Sequence, residues 1–497
     1  MTIAMSADQR VVVDSIAAWA QAREVRSAVR ADLDESGASW RPLWGQIADL
    51  GLFAAGVPES AGGADGTIED VAVMFAACGA ELVSGPLAAS MAAAYALATA
   101  GNPLAEGVMA GERPVVVPAD ATAGDASFAV SGGAVELGLV PAYVPDALIA
   151  APLSFDGEPA VWTVIDPAAV TVATTAADGP LDGTAIPVRV SLTGVSSEAA
   201  TALADGELFV ALLHAGLVAY QAGVARHTLE VAVEYAKVRT QFGAPIGSFQ
   251  AVKQICADML CRSEQLGAAG WDLARALDDA LAEPGPERRS QVELSRLAST
   301  VLTADLAPAN AKDAIQVLGG IGFTYEHDAH LDLRSALAAR MLLGGGQSQR
   351  QQLAALGRAG GRREFSLDLV EAEAQRPAIA ATADAIAAAA PEDRRAELAR
   401  TGFLAPHWPA PYGLSADPAV QLLIDAELDR VGVVRPDLVI AGWALPTILE
   451  HGTDLQREKF VAPTLAGDLR WCQLFSEPEA GSDLASLRTR AVRTDGG

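Results

Sequence analysis

Two stretches of this chain carry side chains on which chemistry could be built. Residues 239–250 read Arg-Thr-Gln-Phe-Gly-Ala-Pro-Ile-Gly-Ser-Phe-Gln, and residues 476–483 read Ser-Glu-Pro-Glu-Ala-Gly-Ser-Asp. In the first, Arg239 offers a permanently charged fork of donors suited to phosphate. Taken alone, the same arginine would offset the dipole at a helix C-terminus. In the second, a tight turn would present backbone N–H groups and a hydroxyl to an anionic or carbonyl-bearing ligand. Taken alone, it would be a surface turn. A third stretch, Asp313–Phe323, ends in Gly319-Gly320-Ile321-Gly322. Missing side chains there let another molecule approach the backbone, but such a loop also ends a helix without any ligand.

The segment Glu326-His327-Asp328-Ala329-His330-Leu331-Asp332 has the His-x-x-His spacing of a metal chelate. No cysteine lies nearby, so it reads as a polar loop with capping roles, and no metal site is expected. His214, His227, His407 and His451 are isolated and read as packed or solvent-facing.

The chain has 497 residues and a net charge of −27. That balance argues against nucleic-acid binding, which needs clustered Lys and Arg, and favours solubility. Ala, Leu and Val dominate and aromatics are few, which favours a helix-rich protein. The N-terminus lacks a basic start followed by an apolar run, so no signal peptide is read. Apolar stretches read as too short, or too interrupted by charge, to span a bilayer. The four cysteines, Cys78, Cys256, Cys261 and Cys472, form no C-x-x-C pair. A reducing cytoplasm is the expected compartment.

The elements that must position these residues follow from texture. Helical spacing recurs in Val11–Ala22, Leu43–Leu52 and Thr67–Leu82. Short Val-rich runs, Pro114–Val117, Ser127–Val130, Val161–Val164 and Val188–Val190, predict strands. Long helical patterns return over 203–358, broken at Gly243–Gly247, Glu283–Pro286 and Gly319–Gly322, and Arg358–Arg363 reads as a linker. Then the pattern restarts. Gly402-Phe403-Leu404, Pro409 and Gly413 each lie 351 residues after Gly51-Leu52-Phe53, Pro58 and Gly62, and Ala466-Gly467-Asp468 repeats Ala110-Gly111-Glu112. Shared spacing of this kind predicts an internal duplication. The expected domains are 1–110 (helical), 111–202 (β), 203–358 (helical), 359–466 (helical again) and 467–497 (the start of a second β-domain). The second copy is expected to be cut short, as in a fragment of a longer protein.

Together these motifs resemble the acyl-CoA dehydrogenase family, over essentially the whole chain. The resemblance implies an α+β fold: an N-terminal helical domain, a middle β-barrel and a C-terminal four-helix domain, here followed by a partial second copy. It implies FAD lying between subunits. Arg239, Gln241, Phe242 and Phe249 would touch the pyrophosphate and adenosine of a neighbour's flavin, and Gln316, Gly319 and Gly320 its adenosine end. Phe475 and Ser476 would contact the flavin ring, and Ser482 the acyl-CoA. In the family the ring segment comes first within one subunit; here it comes second, which assigns the two halves to different copies.

The departures matter as much. Where the second copy has Ser-Glu-Pro-Glu-Ala-Gly-Ser-Asp, the first has Val115–Ala123. The family's base is a glutamate in one of two places, which fall on Leu343 and Leu213; Glu207 is nearby but off register. The expected division of labour makes copy one a non-catalytic partner that completes the FAD site of copy two, whose base lies beyond Gly497. The implied reaction is α,β-dehydrogenation of an acyl-CoA thioester, with a desolvated carboxylate as base and electrons passing to an electron-transfer flavoprotein. Homo-oligomer or pseudo-dimer pairing is expected. Two-copy members are similar to actinobacterial enzymes of sterol side-chain β-oxidation, while a fatty acyl chain stays open. The alternatives are a catalytically inert structural partner and an acyl-CoA oxidase-like flavoenzyme.

Overall fold

Capping residues and apolar spacing start the first helices where the sequence predicts them. The computed structural model describes residues 5–35, 37–124, 126–177, 181–364 and 369–495, and the chain divides into two units, Met1–Glu364 and Phe365–Gly497. The first opens with α1 (Ala7–Ala22), α2 (Val25–Glu35), α3 (Trp44–Asp49), α4 (Ile68–Ala80), α5 (Leu87–Thr99) and α6 (Leu104–Met109). Ser6 with Gln9 and Thr67 with Asp70 form reciprocal caps at the starts of α1 and α4. Helix α5 is apolar on every side and almost wholly buried.

The middle region holds β1 (Val115–Val116), α7 (Ala119–Thr122), β2 (Phe128–Val130), β3 (Ala134–Pro141), β4 (Leu148–Phe155), β5 (Val161–Ile165), β6 (Thr171–Ala176), β7 (Pro187–Thr193) and β8 (Ala200–Ala202). Its hydrogen bonds form two sheets, β1-β4-β5-β8 with β2 also on β4, and β3-β7-β6. This corrects the expected barrel: among the described residues the two ladders do not join. The cause is local. Gly132 and Gly133 turn the chain at positive φ (58° and 77°), and the strands on either side of that turn pair in different sheets.

The helices then return as α8 (Gly206–Val238), a short hairpin of β9 (Thr240–Gln241) and β10 (Ala244–Pro245), α9 (Gln250–Ala282), α10 (Pro286–Leu318), α11 (Ala329–Leu342) and α12 (Gln347–Arg358). The breaks fall in the Gly- and Pro-rich segments, as predicted. Beyond α12, Arg363 is bound to Asp272 of α9 (2.9 Å) and Gln291 of α10 (3.0 Å), so the predicted linker starts pinned to the bundle. Phe365–Asp368 lie outside the described residues.

Helix α8 is long and apolar enough to cross a bilayer, which corrects the reading that no stretch was. Its most apolar window is 89% buried inside the protein, so that face is used up by packing. The packing against α4 is unusually close. A Cβ at Gly223 would lie 1.8 Å from the Ala76 carbonyl oxygen, and one at Gly79 would lie 1.9 Å from that of Tyr220. Only glycine fits where two helix backbones meet. Asn310 ties the bundle together by donating to the carbonyls of Ala225 on α8 (3.0 Å) and Met259 on α9 (3.1 Å).

A second tie joins α9 to the start of α4. Asp278 accepts from the Ile68 and Glu69 N–H groups at 2.7 and 3.1 Å, supplying the unpaired donors of a helix N-terminus. Burial, aided by the nearby Glu69 and Asp70 carboxylates, raises its pKa to about 6 despite those two bonds.

The second unit contains α13 (Val370–Glu373), α14 (Arg376–Ala388), α15 (Arg394–Arg400), α16 (Pro418–Arg430), α17 (Ile440–His451) and α18 (Asp454–Ala466) around its own core, including Ile386, Leu423, Ile424, Leu445 and Val461. Several features of the first unit recur. Gly51 and Gly402 both take positive φ, 86° and 76°, before a buried pair. Asp65 at φ 58° donates its N–H to Val57, and Ser415 at φ 50° donates to Trp408. Gly66 then bonds Ala55, and Ala416 bonds Pro406. By these bonds Gly413 corresponds in its own loop to Gly63, and at each an added Cβ would meet a backbone carbonyl. The expected match of Gly413 to Gly62 is off by one, because the loop from Pro58 to Thr67 is one residue longer than that from Pro409 to Asp417.

The β-domain start expected at 467–497 is not formed among the described residues. After Gly467 the chain has one isolated bridge, Glu477 to Ala480, and a 3₁₀ turn at Leu484–Ser486. A strand needs a neighbour to pair its backbone groups, and none of the described strands pairs with this segment. Gly496 and Gly497 lie outside the described residues.

Two outcomes follow from these contacts. Gly223→Ala is expected to cost roughly 1–3 kcal/mol by overpacking, read as a lower urea midpoint. Gly267→Ala, inside α9 with open space around it, is expected to be neutral or stabilising. For Asp278 the folded pKa of about 6 lies above the ordinary aspartate value of 3.8, so the folded state holds the extra proton between them. Its contribution therefore falls as pH rises through that window and is constant above it. Unfolding free energy of Asp278→Asn measured across the same window should lack that part of the slope.

Candidate functional site

The side chains singled out at 239–249 collect at one end of the helical bundle. Helix α8 ends at Val238 rather than at Gly243, because Arg239 turns extended and the chain enters the hairpin. Phe242 and Gly243 occupy the hairpin tip at φ 52° and 81°. Phe249 then caps α9. The Phe242 ring, 95% exposed, stands edge-on to Phe249 with 6.1 Å between centroids. Exposing two phenylalanines costs hydrophobic stabilisation, so their position favours a covering surface. Gln241 is exposed and its side-chain amide donates to the Thr240 carbonyl at 2.7 Å. The Arg239 side chain is exposed as well.

Residues 316–323 belong to the same end. Ala232 and Ala236 of α8, Met259 of α9, and Ala314 and Val317 of α10 share one small core, with Ile246 packed against it. Gln316 is exposed beside that core. Gly319 ends α10 at φ 63°, and there is open space around both Gly319 and Gly320. Phe323, 76% exposed, adds another uncovered ring. The motif that looked weak in isolation is thus held near the Arg239 hairpin by a common core.

The two family base positions are apolar and buried. Leu213 is 2% exposed and Leu343 is 0% exposed. Glu207 lies in the first turn of α8, is exposed, and faces Arg289 at 3.8 Å. It is therefore in water rather than in a dry site. Val115–Ala123, expected from the sequence to match the acidic turn at 476–483, forms β1 and α7, and Val117, Ala121 and Thr122 within it are buried. The Thr122 carbonyl lies 2.6 Å from His214 Nε2, while Arg296 lies 3.1 Å from Nδ1. A carbonyl can only accept and a guanidinium can only donate, so His214 is the neutral Nε2–H tautomer. Burial, with Arg296 beside it, pushes its pKa down to about 3. His214 is a packed residue, as expected.

Of the His-x-x-His segment, Glu326–Asp328 form the predicted polar loop, while Ala329–Asp332 make the first turn of α11. His327 Nδ1 accepts from the Ala329 N–H at 3.0 Å, and His330 stacks on Tyr325 at 4.3 Å. Among the described residues there is no cluster of three or more His, Cys, Asp or Glu side chains able to hold a metal.

In the second unit the turn closes on itself, Glu477 N–H to the Ala480 carbonyl at 2.8 Å. The Glu477 carboxylate accepts from the N–H groups of Arg488 (2.9 Å) and Thr489 (2.7 Å), and these bonds, with the Thr489 hydroxyl foremost, lower its pKa. Phe475, Ser476 and Ser482 are all exposed around that turn. The chain leading into it is irregular, with no strand before Ser476.

One feature escaped the sequence reading. Beside Leu213, a cavity of about 110 Å³ opens among α4, α5, α8 and α11. Its polar lining includes Asp182, Tyr220, Gln221 and Ser335, brought from three separate stretches of chain. The signal was Gln221, one polar side chain in an apolar stretch of α8.

Comparison with known proteins places this geometry. The family description "Acyl-CoA dehydrogenase, C-terminal domain" matches residues 213–357, and "Acyl-CoA dehydrogenase, N-terminal domain" matches 6–105 and again 367–468. The chain is 46% identical over 461 residues to acyl-CoA dehydrogenase FadE34 of Mycobacterium tuberculosis, covering 92% of this chain and 62% of that protein. It thus spans under two thirds of that relative's length. It is 30% identical over 335 residues to acyl-CoA dehydrogenase IpdE2 of the same organism, covering 67% of this chain and 91% of that protein. The fold is that of a chain in the ChsE4-ChsE5 complex from M. tuberculosis, with TM-score 0.60, 23% identity, and coverage of 71% of this chain and 98% of that one. The chain belongs to the acyl-CoA dehydrogenase family.

Proposed function

We propose that this protein takes part in flavin-dependent α,β-dehydrogenation of an acyl-CoA thioester, and that residues 1–364 act as a non-catalytic partner completing an FAD site. The observation that carries this reading is a contrast. Both family base positions, Leu213 and Leu343, are buried leucines, while Arg239, Gln241, Phe242, Phe249, Gln316, Gly319 and Gly320 stay presented at one end of the bundle.

The cofactor of the family is FAD. The donor set fits its pyrophosphate and adenosine half. An exposed guanidinium can pair with phosphate oxygens. Exposed phenylalanine rings can cover a purine. Open space at Gly319 and Gly320 allows close approach to the backbone. Bound FAD would supply the hydride acceptor. The part of this chain is to bind and orient: Arg239 holds the phosphates, Phe242 and Phe249 exclude water from the base, and Gln316 hydrogen-bonds the adenosine end. A leucine at each base position can take no proton, so proton removal has to come from a carboxylate elsewhere.

Residues 365–497 are read as the start of a second copy. The second match of the N-terminal description, at 367–468, and the repeated loop bonds support this. In it, Phe475 and Ser476 would lie against the flavin ring and Ser482 against the acyl-CoA. The two copies would pair as a pseudo-dimer, with the base on neither segment described. The proposed electron acceptor is an electron-transfer flavoprotein. The four free cysteines suit a reducing, cytoplasmic compartment.

The test is bound flavin. Purified protein carrying Arg239→Ala and Gln316→Ala is expected to lose FAD affinity at least tenfold, the effect of about 1.4 kcal/mol of lost phosphate and adenosine contacts. Flavin content equal to wild type would remove the proposed role. In wild-type protein long enough to include the carboxylate base, acyl-CoA should bleach the flavin without oxygen; bleaching that turns over only with oxygen would point to an oxidase instead, and no bleaching to an inert partner.

A further inference from the structure

The sequence marks Arg358–Arg363 as a linker, yet its end and the residue after it are bound to α9 and α10 as a ligand would be. Gly360, at φ 95°, turns the chain out of α12, and the Gly361 N–H donates back to the Leu356 carbonyl at 3.0 Å. Gln291 of α10, a buried residue, then uses both ends of its amide on the main chain that follows. Its Nε2 donates to the Arg362 carbonyl at 2.9 Å, and its Oε1 accepts from the Glu364 N–H at 2.7 Å. Arg363, between those two residues, supplies the side-chain contact. Its guanidinium donates to Gln291 Oε1 at 3.0 Å and, through Nε and Nη2, to Asp272 of α9 at 2.9 Å each. Asp272 is itself held by the Ser295 hydroxyl at 2.5 Å. The Arg363 and Asp272 side chains are only 16% and 20% exposed, so this forked, charge-assisted pair is largely shielded from water.

A linker ordinarily runs over the surface with its backbone groups left to water. Here one buried amide pairs two of them, and a carboxylate selects the arginine between. We propose that Asp272, Gln291 and Ser295 form a latch whose occupant is Arg362–Glu364 of the same chain, and that the latch sets the working length of the connection to the second unit. Between α12 and α13 that connection has eleven residues, 359–369; beyond Glu364 only five remain, 365–369. Fully extended, five residues reach about 17 Å and eleven about 37 Å. A shorter tether that still spans its two ends holds the linked unit at higher effective concentration. The latch needs neither FAD nor acyl-CoA, so it stands or falls separately from the proposed dehydrogenation.

The experiment gives the full chain two readouts. Trypsin is expected to cut after Arg362 at least tenfold faster in the Asp272→Asn, Gln291→Met double variant than in wild type, with the same circular dichroism in both. Nitroxides on the exposed Cys261 and Cys472, in a Cys256→Ser background, report the distance distribution between the units by double electron–electron resonance. That distribution should widen in the double variant. Equal cleavage rates would overturn the latch, and faster cleavage with an unchanged distribution would overturn its control of length. Should the double variant fail to fold, Arg363→Gln alters the occupant and leaves α9 and α10 unchanged, with the same two results expected.

Discussion

Helix α8 meets α4 backbone to backbone, and most of the first unit is arranged around that contact. At Gly79 and Gly223 a single added carbon would overlap a carbonyl oxygen of the facing helix. Gly216, one further helical repeat along α8, has Ala88 of α5 2.9 Å from where its Cβ would be. Three glycines thus set how closely the N-terminal helices approach the bundle. Helix α8 then carries that placement in two directions. Its middle forms a wall of the Leu213 cavity, and its end delivers the Arg239 hairpin to the surface. The same closeness explains why a helix apolar enough for a bilayer is consumed inside the protein.

The site has an uneven character that follows from this scaffold. The bundle end is richly presented, with a guanidinium, two glutamine amides, exposed rings and open glycine backbone. The interior, where proton abstraction would need a desolvated carboxylate, offers leucine instead. A buried carboxylate is costly to keep, and leucine at both positions avoids that cost. The interior ionisable groups that remain are committed elsewhere. His214 is locked neutral between Thr122 and Arg296, and Asp278 caps α4. The presented groups face outward, which is what the proposed role of serving a neighbour's flavin would need.

Much of this was legible in the sequence because the governing signals are local. Gly and Pro mark the breaks between α8, α9 and α10, and valine runs mark β1, β2, β5 and β7. The motifs at 239–249 and 476–483 are the ones on which the proposed flavin role rests. What was not legible depends on partners distant in the chain. Whether the middle strands close into a barrel depends on which strand each one finds, and Gly132-Gly133 sends β2 and β3 to different sheets. The β-domain start expected at 467–497 did not form for the same reason, since none of the described strands pairs with that segment. The one-residue shift from Gly62 to Gly63 required loop hydrogen bonds that composition cannot show. The Gln221 cavity joins side chains from α8, α11 and the β6–β7 connection, and only the isolated glutamine hinted at it.

The central claim is that residues 1–364 hold the adenosine half of a flavin rather than its ring. An FAD analogue carrying a photoreactive azide on its adenine tests this directly. After binding, illumination and proteolysis, mass spectrometry would locate the label. The account places it on peptides containing Phe242, Phe249 or Phe323. Labelling of the peptide containing Phe475 and Ser476, with those three unmodified, would contradict it.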